Sequence, residues 1–158
     1  MSTLEKRLYT EADYYKFPED VRAELIEGQI HYYSIPNRIH QKILAALLSV
    51  IHAHIKAHQL PCQVYPGPFA VKLKKDSRTI VEPDISVIFD PEKLTERGCS
   101  GAPDWIIEIS YPANPSHDYI RKLHLYADDG VREYWIVNPK QQSVHAYNLA
   151  DVRLGKIT

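Results

Sequence analysis

Three observations predict a mixed α/β fold with a central sheet flanked by helices. First, Ile39, Ile43, Leu44, Leu47, Leu48, Ile51 and Ile55 recur at helical spacing after Asn37, the pattern of an amphipathic helix of about five turns. Second, residues 117–129 repeat that pattern, with Ile120, Leu123 and Tyr126 or Ala127 on one face and Gly130 where a helix stops. This segment joins two β-type runs, as a crossover does. Third, the runs 62–65, 69–73, 85–89, 105–110, 134–137 and 144–147 are rich in β-branched and aromatic residues and together make one substantial sheet.

The other elements follow from local signals. Thr10 with Asp13 three residues later starts a short helix that Pro18 ends, and a second short helix starts near Pro18. Residues 22–33 read as a tight hairpin around Gly28 with Glu24 on its first arm. Residues 74–78 form an exposed turn and 95–102 a loop holding Gly98 and Gly101, while the tail after Asn148 is weakly patterned. At 158 residues the chain is the size of one domain, 1–158, able to bury roughly two-thirds of its unfolded surface.

Bulk properties narrow the function classes. The formal net charge of -1 excludes a global positive field, so a phosphate-binding surface has to be local. Cys62 and Cys99 are too few and too far apart for a zinc cluster, and nothing at the N-terminus resembles a signal peptide; the expectation is a cytoplasmic protein with reduced thiols. Ile43 to Ile55, the most apolar stretch, is broken by Ser49, His52 and His54, short of the ~18 residues of a membrane span, so no membrane partner is expected.

Two acids stand in unusual places. Asp84 follows Pro83 at the start of the apolar run Ile85-Ser86-Val87-Ile88-Phe89, and Glu108 lies inside Trp105-Ile106-Ile107-Glu108-Ile109. An ionised carboxylate within a buried strand costs several kcal/mol unless a partner or a metal compensates it. If the two strands are neighbours, Asp84 and Glu108 converge on one hard cation of the magnesium type. Lys122, on the second helix with Asp118 one turn before it and Tyr126 one turn after, can reach back toward them. Its ammonium would orient or activate an attacking water, or stabilise charge on a phosphoryl group.

Taken in order, Glu24-Leu25-Ile26-Glu27-Gly28, His40-Gln41, Glu82-Pro83-Asp84, Gly101-Ala102-Pro103-Asp104-Trp105-Ile106-Ile107-Glu108-Ile109, Asp118 with Lys122, and the run from Gly130 to Pro139 resemble the restriction-endonuclease-like branch of the PD-(D/E)XK nuclease superfamily. The resemblance spans nearly the whole chain. It implies the restriction-endonuclease-like fold, with Asp84 and Glu108 as metal ligands, the Ile109 carbonyl completing the shell, Glu24 as an accessory acid, and Mg²⁺ or Mn²⁺ as cofactor. The superfamily's usual lysine, two positions after the glutamate, falls on Ser110, and the resemblance implies that Lys122 has taken its role. Two departures stand out: Tyr111 where a small serine is usual, and Asn138 where an aspartate is usual.

Simpler readings stand beside these. Asp84 is also a turn acid, Glu108 a salt-bridge partner for Lys72 or another strand lysine, and Lys122 with Asp118 a surface pair. Glu24 and Glu27 are also ordinary hairpin acids. His54 and His58 have the spacing of a metal pair but read better as a solvated face; His40 reads as a helix-start residue and a secondary site candidate. Tyr32, Tyr33, Tyr134 and Trp135 read as core or interface aromatics. The function expected is a metal-dependent endonuclease acting on DNA, working as a homodimer. The alternatives are an idle nuclease fold that binds nucleic acid or assembles with it, and, remotely, a two-carboxylate glycosidase.

Overall fold

A computed structural model describes residues 7–73, 76–111 and 116–153. Helix α1 (Glu11–Tyr14) begins where Asp13 Oδ2 accepts the Thr10 amide at 2.9 Å. Residues at Pro18 form a turn, with the Val21 amide bonded to the Pro18 carbonyl, and not the second short helix the sequence suggested. The hairpin is as read: β1 (Ala23–Ile26) pairs antiparallel with β2 (Gln29–Tyr32), and Gly28 supplies the positive φ of 82° in the turn. Helix α2 (Arg38–Ala57) is capped by Asn37, whose Oδ1 accepts the His40 amide at 2.9 Å.

The later strands are β3 (Gln63–Pro66), β4 (Ala70–Lys72), β5 (Ile80–Val81), β6 (Ile85–Ile88), β7 (Leu94–Thr95), β8 (Gly98–Ser100) and β9 (Trp105–Ile109). Helix α3 (Ser116–Asp129) follows, then β10 (Glu133–Asn138), β11 (Ser143–Asn148) and α4 (Leu149–Arg153). They form two mixed sheets, β2-β1-β5-β4-β8-β7 and β11-β10-β9-β6-β3, rather than the one sheet expected. Along the described elements the chain passes between them five times. Two of these crossings are Pro66-Gly67-Pro68, leading from β3 to β4, and Glu82-Pro83-Asp84, leading from β5 to β6; their prolines have no amide to continue a ladder. These two touch: the Gly67 amide donates to the Asp84 carbonyl at 2.8 Å.

Alternation along β9 divides the core. Ile107 and Ile109, with Ile85 and Val137, face α2, where Ile43, Leu44, Leu47 and Ile51 pack on them. Ile106 faces the other way, into a cluster with Val71 and Val81 of the first sheet, Tyr134 of β10, and Leu123, Tyr126 and Ala127 of α3. Helix α3 is the expected crossover, since β9 and β10 are parallel. Its inward residues include Tyr119 and Lys122, whereas Ile120, placed on the apolar face by the sequence pattern, is exposed. Ile39 of α2 is likewise exposed. The Asp118 side chain lies outside the described residues.

The segment expected as a loop at 95–102 contains the β7–β8 hairpin, and the weakly patterned tail contains α4, with Asn148 Oδ1 accepting the Ala150 amide at 3.1 Å. Among the described residues no helix is long and apolar enough to cross a membrane. Gly98 lets β8 lie directly on β4. Its φ is +148°, and a Cβ there would sit 2.0 Å from the Ala70 carbonyl oxygen.

Gly98→Ala is therefore expected to destabilise by about 3 kcal/mol or more, because backbone has to move. Gly130→Ala, at φ +99° with nothing within 4 Å, meets only conformational strain, about 1–2 kcal/mol. Urea midpoints of the two variants check this, and equal losses would refute the packing argument.

Candidate active site

Register brings the two predicted acids together. Ile85 is opposite Ile107 in the antiparallel β6–β9 pair, and one step further along the same ladder direction Asp84 comes opposite Glu108. Directly opposed residues point to the same face of a sheet, so the carboxyls converge. Asp84 Oδ2 accepts the Ile109 amide at 2.7 Å, and His40 Nε2 lies 3.1 Å from Asp84 Oδ1. His40, set in place by the α2 cap, is buried, with Nδ1 2.8 Å from Gln41 Oε1. Burial alone would lower its pKa, but the bond to Asp84 and that carboxylate's charge outweigh burial and hold it above the ordinary value.

Lys122 and Glu24 join the same cluster from other elements. Lys122 Nζ is 2.7 Å from Glu24 Oε1 on β1 and 3.3 Å from Glu108 Oε1 on β9, and it donates to the Tyr33 hydroxyl at 3.1 Å. The Tyr126 hydroxyl, one turn further along α3, donates to Glu108 Oε1 at 3.2 Å. Glu24 Oε2 accepts the Glu82 amide, which ties β1 to the crossing that carries Asp84. Glu24, Glu108 and Lys122 are all buried. Burial works against the Lys122 ammonium, yet Glu108 and Glu24 raise its pKa well above the ordinary lysine value, so it stays charged. The salt-bridge partner of Glu108 is thus Lys122; Lys72 pairs with Glu11 at 2.7 Å.

Sequence reasoning did not assign roles to Tyr33, Tyr126, Glu82 or Arg22. Tyr126 carried a signal, since it shares the Lys122 face of α3; Tyr33 carried none, because its place depends on the hairpin. Glu82 accepts a hydrogen bond from the Tyr14 hydroxyl, and burial raises its pKa. Arg22, Tyr33, Glu82, Asp84, Glu108, Tyr111 and Lys122 line one small pocket. Tyr111 lines it with its hydroxyl donating to the Ser34 carbonyl at 2.9 Å and its ring edge-on to His40.

The donor set fits a magnesium-type ion. Glu108 Oε1 takes both Lys122 and Tyr126, and among the described residues Oε2 takes no hydrogen bond, in a residue that lines the pocket. Both Asp84 oxygens keep a further lone pair. Among the described residues no group of three or more His, Cys, Asp or Glu side chains converges on one point. Mg²⁺ needs no such cage, since it is held by one or two carboxylates plus waters and substrate oxygens. The Ile109 backbone meets the site through its amide, bonded to Asp84. Among the described residues the exposed His54–His58 pair has no third ligand, and the His58 ring bonds the His54 carbonyl.

Two consequences are measurable. Burial first, then Asp84 and Glu24, push Glu108 up to about 8 against the pull of Lys122. The folded protein then holds a proton that the unfolded chain has released, so this group's stabilisation is full below its unfolded pKa and is lost as pH rises through about 8. In chelator, urea stability should fall between about pH 5 and about pH 8.5 in wild type and fall less in Glu108→Gln; equal slopes would refute the assignment. Lys122→Met removes the cation that Glu24 and Glu108 share in the interior and should cost about 3–5 kcal/mol in the same assay.

Comparisons with known proteins bear on the fold and the family. No functionally curated protein matches the chain. A solved structure from Anabaena variabilis ATCC 29413, described as "a putative nuclease belonging to DUF820", superposes with a TM-score of 0.73 at 26% identity, over 88% of this chain and 79% of that one. The fold is that of a nuclease-like neighbour. The Uma2 family model, described as "Putative restriction endonuclease", matches residues 11–156. On that match, over nearly all of its length, the chain belongs to the Uma2 family.

Proposed function

We propose that this protein is a divalent-metal-dependent endonuclease that hydrolyses DNA phosphodiester bonds. The observation that carries the reading is that Asp84 and Glu108, each one residue past the paired Ile85 and Ile107 of β6 and β9, line one pocket with Lys122 beside Glu108. Two carboxylates, with the Ile109 carbonyl as a further candidate ligand, suit a Mg²⁺ or Mn²⁺ ion. Such an ion supplies Lewis-acid stabilisation of the phosphoryl oxygens and lowers the pKa of an attacking water.

The chain's own residues have distinct parts. In the reaction a water oxygen bonds to phosphorus, the bond from phosphorus to one deoxyribose oxygen breaks, and the water's proton balances the charge on that leaving oxygen. Lys122, held as an ammonium, cannot accept a proton and is not the base; it stabilises negative charge developing at the phosphoryl group. Glu24 is wholly buried and is not among the residues that line the pocket; one of its oxygens holds Lys122 and the other the Glu82 amide, so Glu24 positions Lys122. His40 positions Asp84.

One observation favours a second reading, a nuclease fold that binds nucleic acid without cutting it: the Lys122 ammonium is already occupied by Glu24, Glu108 and Tyr33.

Calorimetric Mn²⁺ titration run beside a supercoiled-plasmid nicking assay separates the two. Wild type should bind Mn²⁺ and nick, EDTA should abolish nicking, and Asp84→Asn and Glu108→Gln should lose both metal and about a thousandfold in rate. Wild type that binds no metal would sink the nuclease reading; metal binding without nicking of any DNA form would favour the idle module.

A further inference from the structure

We propose that Arg22 is the cation that grips the scissile phosphodiester, a role that rests on the nuclease reading of the pocket. Arg22 stands just ahead of β1. Its carbonyl accepts the Tyr33 amide at 2.9 Å, which closes the open end of the hairpin and sets Arg22 beside the tyrosine whose hydroxyl receives Lys122. It lines the pocket together with Glu82, Asp84 and Glu108.

The two cations of this pocket are in opposite states. Lys122 spends its ammonium on Glu24, Glu108 and Tyr33. The Arg22 Nε is buried and has no acceptor among the described residues. A buried donor without a partner costs roughly 1–3 kcal/mol, and a side chain whose Nε is left this way, in no ion pair among the described residues although several carboxylates line the same pocket, is placed for an incoming anion. Its charge is felt around the pocket, since Arg22 pulls down the pKa of both His40 and Glu82.

The chemistry of the ligand follows from the donor. Arginine presents a planar fork of N–H groups that matches two oxygens of one phosphate, where an ammonium offers only a point charge. A phosphodiester carries two non-bridging oxygens of that spacing. Anchoring them at Arg22 turns the phosphorus toward Asp84 and Glu108 and leaves Lys122 for the charge that develops later. The competing structural role is that of a counter-ion for Glu82, whose Oε2 is also buried without a partner.

The test uses the full chain, wild type, Arg22→Gln and Arg22→Lys. Mn²⁺ affinity is measured by calorimetry, affinity for a fluorescein-labelled DNA duplex by anisotropy in Ca²⁺, plasmid nicking in Mg²⁺, and folding by urea titration. Arg22→Gln should bind Mn²⁺ as wild type does, bind duplex about tenfold or more weakly and nick correspondingly slowly, with Arg22→Lys recovering part of the loss. A folded Arg22→Gln with wild-type duplex affinity overturns the proposal, as does a loss of stability without a loss of affinity, which would leave Arg22 as the counter-ion of Glu82. If wild type nicks and Arg22→Gln nicks equally, Arg22 alone is wrongly assigned. If no protein nicks but duplex binding depends on Arg22, the nuclease reading fails while the phosphate grip stands. A wild type that neither nicks nor binds duplex overturns both.

Discussion

The Lys122 ammonium, buried between the Glu24 and Glu108 carboxylates, is the interaction on which the rest of the site depends. Each of the three charges comes from a different layer: Glu24 from the first sheet, Glu108 from the second, Lys122 from α3. Taking one such ion out of water costs several kcal/mol, and the attraction repays it only when the geometry is good and remaining lone pairs are satisfied. Tyr33, Tyr126 and the Glu82 amide supply those bonds. The cluster therefore penalises any arrangement in which the two sheets or α3 sit otherwise, and it holds the crossing that carries Asp84 against the strand that carries Glu108.

The same constraint explains why the crossings matter. Glu82-Pro83-Asp84 lies where the chain leaves one sheet for the other, so its backbone is not consumed by a ladder. The Glu82 amide is free to bond Glu24, and the Asp84 carbonyl to accept Gly67. Asp84 is then turned toward Glu108, and its second fixed point is the Ile109 amide, beyond the end of the recorded β6–β9 pairing. The acids of the site stand at a topological junction, where side chains from both sheets reach one place.

This explains which parts were legible in the sequence. Asp84 and Glu108 were legible because an acid in an apolar strand is locally anomalous, and α2 and α3 because their periodicity is long. The division into two sheets was not, because β5 has two residues and β7 has two, too short for any period to register. Ile120 and Ile39 match the helical pattern but sit at the edge of the apolar stripe, where neighbours decide exposure. The use of Tyr33 and Arg22 depends on the hairpin's open end meeting α3, a contact between distant parts of the chain that no spacing encodes.

A net charge of -1 argued against a nucleic-acid partner, and the pocket sharpens that objection before it answers it. Glu82, Asp84 and Glu108 line it, with Glu24 behind, against only Lys122 and Arg22. A fully ionised pocket of this kind repels a phosphodiester. Burial eases the repulsion by raising the pKa of Glu108, so that a proton competes for the oxygens a divalent cation would take. Under the proposed function, a cation held by Asp84 and Glu108 would displace such a proton and offset the negative charge where the substrate's phosphate has to sit. The chain as a whole then needs no excess of lysine and arginine. The field that matters is made within a few ångströms of Asp84 and Glu108, which requires that cation and phosphate bind cooperatively.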